Sequence, residues 1–256
     1  MTALEIIQIP VFDDNYIYLI HDPKSKETAV VDPALSEPVL EILSNKGWDL
    51  NFIINTHHHF DHVGGNLELK EATGCTIVGS AKDVERIPGI DVEVAEGDTF
   101  SLGGHVAQVF DVPGHTRAHI AYWFKDANAL FCGDTLFSMG CGRLFEGSPQ
   151  DMWSSMQKFN QLPDETLIYC AHEYTSSNGL FALSIDANNP ALKKRMAEVD
   201  KLRSEDQPTV PSLLGEEKLV NPFLRANDAG LAHALGLNAD DPVEVFAEIR
   251  GRKDNF

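Results

Sequence analysis

Apolar residues in the first two-thirds of the chain come in short runs closed by Pro, Gly, Asp or Asn, as strands do. "LEIIQIP", "YIYLI" and "TAVVDP" are β-rich runs of this kind. "SEPVLEILSNKGW" changes period: Val39, Leu40 and Leu43 share a helical face, with Ser36 as N-cap and Gly47 as stop. "NFIIN" is short and wholly apolar, as expected of a strand buried on both faces. "CTIVGS" is a further strand. "DTFSLGGHVAQVFDV" predicts a hairpin turning at Gly103-Gly104, and "AHIAYWFKDANALFCGD" a second turning through 125–128. "SPQDMWSSMQKFNQLP" predicts a helix capped by Ser148 with Pro149 in its first position, and "ETLIYCAHEY" a final strand.

From about Ser176 strand signals fade. Leu192, Met196, Val199 and Leu202 line one face of a helix opened by Asn189-Pro190 and closed before Pro208. Asp241-Pro242 opens a last helix, "DDPVEVFAEIRGRKDNF". The expectation is a mixed α/β domain over 1–174 and a small helical domain over 175–256.

Composition narrows the class. The 256 residues are 43% hydrophobic and 23% charged, as in an ordinary globular protein, and no apolar run has the length of a membrane span. The first residues lack the basic and apolar regions of a secretory signal. Cys75, Cys132, Cys141 and Cys170 lie far apart without a CxxC pair, which suits reduced thiols and a cytoplasmic protein. The formal charge of −19 argues against nonspecific nucleic-acid binding. An anionic substrate would need a local basic pocket.

Candidate chemistry concentrates at "THHHFDH", residues 56–62. Imidazoles crowded together repel once protonated, so a bound cation is the natural reason to cluster them. In an extended segment His57 and His59 share a face and His58 points away. Asp61 and His62 follow where the chain turns into a helix. The two pairs differ in direction and suit two adjacent ions better than one. Borderline cations such as zinc take this mixed donor set, as do iron and manganese. His115, Asp134 and His172 each emerge from the end of an apolar strand. The proposal from spacing is His57, His59 and His115 on one ion, Asp61, His62 and His172 on the other, and Asp134 bridging. Taken singly, His115, Asp134 or His172 reads more simply as a hydrogen-bonding residue. His119 either supports a ligand or packs. His21, His105 and His233 stand alone and default to surface or core roles.

"THHHFDHVGGN", "PGHT", "FCGDTLF", "GCGR" and "AHEYT", in this order, resemble the metallo-β-lactamase superfamily, and the full set resembles the glyoxalase II family of hydroxyacylglutathione hydrolases. The resemblance runs from "DDNYIYLI" to "RKDNF". It implies an αββα sandwich with two divalent ions at one edge of the sheets, and a C-terminal helical domain that helps bind glutathione. It carries the metal ligands onto the seven residues proposed from spacing. The family's glutathione contacts fall on Arg143, Phe145, Tyr174, Arg250 and Lys253. Arg250 and Lys253 share a face of the last helix, although basic residues at a helix C-terminus need no ligand to explain them. Phe145 stands where the family often has Tyr, so one hydroxyl contact is absent. Ala118 replaces a Gly, and Arg143 a Lys.

The implied reaction is hydrolysis of S-D-lactoylglutathione, and related S-2-hydroxyacylglutathiones, to D-lactate and glutathione, the second step of methylglyoxal detoxification. A metal-bridged hydroxide would attack the thioester, with Asp61 orienting it and Asp134 joining the ions. The expected protein is a cytoplasmic monomer with a small-molecule glutathione thioester as partner, and neither nucleic acid nor membrane. The rivals are another superfamily member (a lactonase, a β-lactamase, or a persulfide dioxygenase using one redox-active iron) and, in a different class, an idle glutathione-conjugate binder or metal store. The terminal basic helix argues against the lactonase and lactamase, and two complete ligand sets argue against the idle binder.

Overall fold

Alternation of side chains builds the first sheet. Its strands are β1 (Glu5–Val11), β2 (Asn15–His21), β3 (Thr28–Val31), β4 (Phe52–Ile54), β5 (Thr76–Ser80) and β6 (Val92–Val94), in that spatial order. β1 to β3 are antiparallel, and β3 to β6 parallel. Parallel neighbours need crossovers. These are α1 (Glu37–Lys46) before β4, and α2 (Phe60–Val63) and α3 (Asn66–Thr73) before β5. Ile17, Leu19, Val30, Ile53 and Ile77 face Val39, Leu43 and Leu69 of the helices. Residues one position along face the other way: Tyr18 meets Phe131 at 5.6 Å and Phe52 meets Phe100 at 5.3 Å between ring centroids. Their partners lie on a second, antiparallel sheet of β7 (Thr99–Leu102), β8 (His105–Asp111), β9 (Ile120–Phe124) and β10 (Ala129–Gly133). Tyr122 ties the layers by donating to the carbonyl of Asn55, 3.1 Å away.

This computed structural model describes residues 3–256. Contacts divide the chain into two compact units. The first holds the residues up to Asp111 together with Ala118–Gly133, and the second holds Val112–Arg117 with Asp134–Phe256. In the second unit, β11 (Leu136–Phe137) and β12 (Gly140–Cys141) form a short hairpin. There follow α4 (Pro149–Asn160), β13 (Leu167–Cys170), α5 (Thr175–Ile185), α6 (Pro190–Ser204), β14 (Ser212–Leu213) paired with β13, α7 (Leu214–Val220), α8 (Ala229–Leu235) and α9 (Pro242–Asp254). Met139, Ala182, Leu192, Met196, Val199 and Val220 form one core here, and Trp153, Phe223 and Phe246 join α4 to α9. No helix among the described residues is long and apolar enough to cross a membrane.

The expected caps hold at Ser148, Asn189 and Asp241, whose side chains accept from backbone amides, and Gly47 closes α1. Ser36 differs. Its backbone is already helical and Pro38 deprives the first turn of an amide, so its hydroxyl donates to Glu68 instead.

Candidate metal centre

β4, with Ile53 and Ile54 fully buried, delivers the chain through Asn55 and Thr56 to His57, and His59, extended, opens α2. The first unit thereby gathers His57, His59, Asp61 and His62. His57 Nε2 lies 3.0 Å from His59 Nδ1. The rings of His57 and His62 are 4.0 Å apart, and Asp61 Oδ2 is 3.6 Å from His62 Nε2. His58 turns away to Asp83, 2.9 Å off, which also holds Arg86.

Asp32 fixes the protons. Donor atoms of Asp32, His57 and His62 lie within 4.8 Å of one another, so Asp32 could itself be taken for a ligand. Its oxygens are engaged: Oδ1 accepts from Thr56 N (2.8 Å), and Oδ2 from Thr56 Oγ1 (2.6 Å) and His62 Nδ1 (3.0 Å). A carboxylate only accepts, so His62 carries its proton on Nδ1 and presents the lone pair of Nε2. The Thr56 hydroxyl has one proton and gives it to Asp32. Facing His57 Nδ1 at 3.1 Å it must accept, which leaves the His57 lone pair on Nε2 as well. One carboxylate thus sets two imidazoles with nitrogens ready to ligate. Asp32 holds a left-handed backbone, φ 48°, to do so. Asn15 reaches Asp61, donating to its carbonyl at 3.2 Å and its carboxylate at 3.3 Å. His119 stacks on His57 at 4.5 Å, with Nδ1 on the carbonyl of Ile120. It packs flat against a candidate ligand.

The second unit gathers His115, Asp134 and His172. His115 Nδ1 donates to the carbonyl of Arg143 at 2.9 Å, so its lone pair too is on Nε2. That nitrogen lies 3.4 Å from Asp134 Oδ2, and His172 Nε2 lies 3.3 Å from Asp134 Oδ1. Each carboxylate oxygen faces one ring nitrogen. At this separation a lone pair facing an anion is repulsive unless a cation or a proton lies between them, and imidazole nitrogens set on a carboxylate are donors that fit divalent ions.

Aromatic rings back both histidines. Tyr174 stacks on His172 at 4.7 Å with Phe137 against it, and Phe145 lies 5.1 Å from His115, 63% exposed. Arg250 is almost wholly buried over the ring of Phe223. It donates from Nη1 to the carbonyl of Cys141 (2.9 Å) and from Nε to Asp254 (3.0 Å). Lys253 reaches Ser177 at 3.2 Å between the rings of Phe181 and Phe256. Burial, then the charges of Arg250 and Arg143, hold its amine below the ordinary lysine range. Lys253 therefore feels the charge of both arginines, whereas Arg252 pairs with Glu248.

Residues 11–172 match the family model described as metallo-beta-lactamase superfamily, and residues 173–256 the one described as hydroxyacylglutathione hydrolase C-terminus. Two curated proteins named hydroxyacylglutathione hydrolase are similar over their whole length. One, from Methylococcus capsulatus, is 58% identical over 99% of both chains. The other, from Rhodospirillum rubrum, is 55% identical over 100% of both. The chain belongs to the hydroxyacylglutathione hydrolase family. Solved structures share the fold. The B3 metallo-beta-lactamase BLEG-1 superposes with a TM-score of 0.66 at 21% identity over 86% of this chain and 99% of that one. ETHE1 from Myxococcus xanthus gives 0.60 at 28% over 87% and 97%. The family resemblance of the motifs therefore extends over the full chain. Sequence reasoning passed over Asp32 and Asn15, which hold the family's metal motif in place. The one signal for them was a polar residue at the end of a buried strand.

Proposed function

We propose that this chain hydrolyses S-2-hydroxyacylglutathiones, with S-D-lactoylglutathione as the representative substrate, using two divalent ions. The observation that carries the reading is Asp134, with one ring nitrogen on each carboxylate oxygen, in a chain over half identical to named hydroxyacylglutathione hydrolases. One ion is assigned to His57, His59 and His115, the other to Asp61, His62 and His172, and Asp134 to both. Zinc is our assignment for both ions. Bound divalent ions supply water acidified to a pKa of about 7 and a Lewis acid for a carbonyl oxygen.

The chain's residues do the rest. Asp32 and Thr56 hold the His62 and His57 protons on Nδ1. The Arg143 carbonyl does the same for His115. Asp61, steadied by Asn15, orients water and takes up its proton. Water adds to the thioester carbon, the C–S bond breaks, and the sulfur leaves as a thiolate that needs no strong general acid. Arg143, Arg250 and Lys253 give an acidic protein one local positive field for the carboxylates of the tripeptide, and Tyr174 adds a hydroxyl. We assign the chemistry to residues 1–174 and to 175–256 the helical part of the glutathione site that Arg143 and Tyr174 complete, in a cytoplasmic monomer. The test is hydrolysis of S-D-lactoylglutathione by the purified protein, before and after chelation, with metal counted on the same sample. Turnover that vanishes with chelation and returns with zinc is expected. A protein holding two ions and leaving the thioester intact would refute the reading.

A further inference from the structure

The β11–β12 hairpin joins Asp134 to Arg143, and its buried turn is held by side chains rather than by its own strands. Two-residue strands cannot sustain a hairpin alone, and Met139 at the turn adopts φ 54°. Glu217 of α7 accepts from Ser138 Oγ and from Met139 N, both at 2.7 Å. Asn221, at the end of α7, donates to the carbonyls of Phe137 and Gly140, both at 3.0 Å. Asn178 of α5 donates to the carbonyl of Ser138 at 3.1 Å. Glu217 and Asn221 are fully buried, and burial pushes the Glu217 carboxyl up against the opposing pull of these bonds.

Stabilising the fold would be reason enough for such a cluster, but the hairpin's ends carry more. Gly142 N donates to the carbonyl of Thr135 at 3.2 Å, and a Cβ on Gly142 would collide with the carbonyl oxygen of Asp134. The next carbonyl, of Arg143, is the one that fixes the proton of His115. A shift of the turn is therefore transmitted to Asp134 and His115 together.

We propose that Glu217, Asn221 and Asn178 are positioning residues for the metal centre, acting through this hairpin on Asp134 and His115. The inference rests on the reading of those two residues as metal ligands. The test uses the zinc-loaded full chain and reads zinc retention against increasing chelator, alongside kcat/KM and thermal unfolding. Loss of such supporting contacts lowers metal affinity by about 10–100-fold. Asn221→Ala and Glu217→Leu are expected to release zinc at about tenfold less chelator, well below their unfolding temperatures, with kcat/KM falling in step. Asn178→Ala, which removes one bond, should move the same way by about threefold. Glu217→Gln should hold zinc as wild type does, because its amide can accept from Met139 N and donate to Ser138 Oγ. Folded variants that hold zinc as wild type does and lose only stability would overturn the proposal. If the two larger changes fail to fold, Asn178→Ala decides by the same measure. Zinc retention needs no substrate, so a wild type that binds two ions without hydrolysing the thioester would sink the proposed function and leave this inference standing.

Discussion

Exchanging Asp32 for Asn probes the proton arrangement with almost no change of shape. The oxygen of the new carboxamide can keep the Thr56 amide. Its NH2 then replaces an oxygen that accepts from Thr56 Oγ1 at 2.6 Å and from His62 Nδ1 at 3.0 Å. Donor would face donor. His62 relieves this by moving its proton to Nε2, and Thr56 by turning its hydroxyl toward His57 Nδ1, which moves the His57 proton to Nε2. Both nitrogens then lose the lone pair a metal needs. Reversing this gives up a neutral hydrogen bond and leaves buried donors facing each other, at a cost of about 1–3 kcal/mol. At about 1.4 kcal/mol per tenfold, metal affinity should fall by about 10–100-fold, the usual effect of losing a carboxylate behind a metal-bound histidine. Competition between Asp32→Asn and a chromophoric chelator for zinc, with melting curves to show a folded chain, measures this. A folded Asp32→Asn protein that keeps two ions at wild-type affinity would refute the tautomer argument.

Three further outcomes follow. Phe145→Tyr restores the hydroxyl beside His115, and the KM for S-D-lactoylglutathione should fall by about two- to tenfold, the worth of one hydrogen bond; an unchanged KM means that position 145 does not touch substrate. Gly133→Ala, at φ 48°, would drive a Cβ into Thr56 and to 3.0 Å from His119, so stability should drop by about 2 kcal/mol or more on urea unfolding, and no change would show that the packing there can yield. Burial raises the Asp22 carboxyl, but the amides of Lys24, Ser25 and Gly104 and the Ser25 hydroxyl outweigh it and hold the group at about 2 rather than 3.8. A depressed carboxylate stabilises the folded state above its unfolded pKa and loses that contribution as pH falls through its folded one. Asp22→Asn should therefore cost about 1–2 kcal/mol at pH 7, with the gap between variant and wild type closing as the pH approaches 2, read by urea unfolding of the metal-free proteins; a gap independent of pH would contradict the assignment.

The sequence made most of this legible where chemistry is local. A buried strand running into HxHxDH announces a metal site because spacing alone sets which imidazoles share a face, and Ser148, Asn189 and Asp241 announce helix starts because a cap bonds only two or three residues ahead. Partners far apart in sequence are different. Asp32 closes "TAVVDP" as any strand terminator does, and its meaning comes from His62, thirty residues on. Glu217 sits in "GEEKL", where nothing local tells it from the acid beside it, and the structure buries it under Met139. Helix α5 begins "TSSNG", with no apolar period to reveal it, and is held by Phe181, Ala182 and Asn178 inside the second unit. Ser36 failed as a cap because its backbone is already helical, Pro38 removes one of the two amides a cap accepts from, and its hydroxyl donates to Glu68.

The assignment of the ions is tested most directly by anomalous X-ray diffraction from crystals of the zinc-loaded protein, recorded on either side of the zinc edge. Two zinc peaks are predicted, one within bonding distance of His57, His59 and His115, the other of Asp61, His62 and His172, with Asp134 reaching both. A single peak, or a peak whose ligands leave out Asp134, would contradict the account.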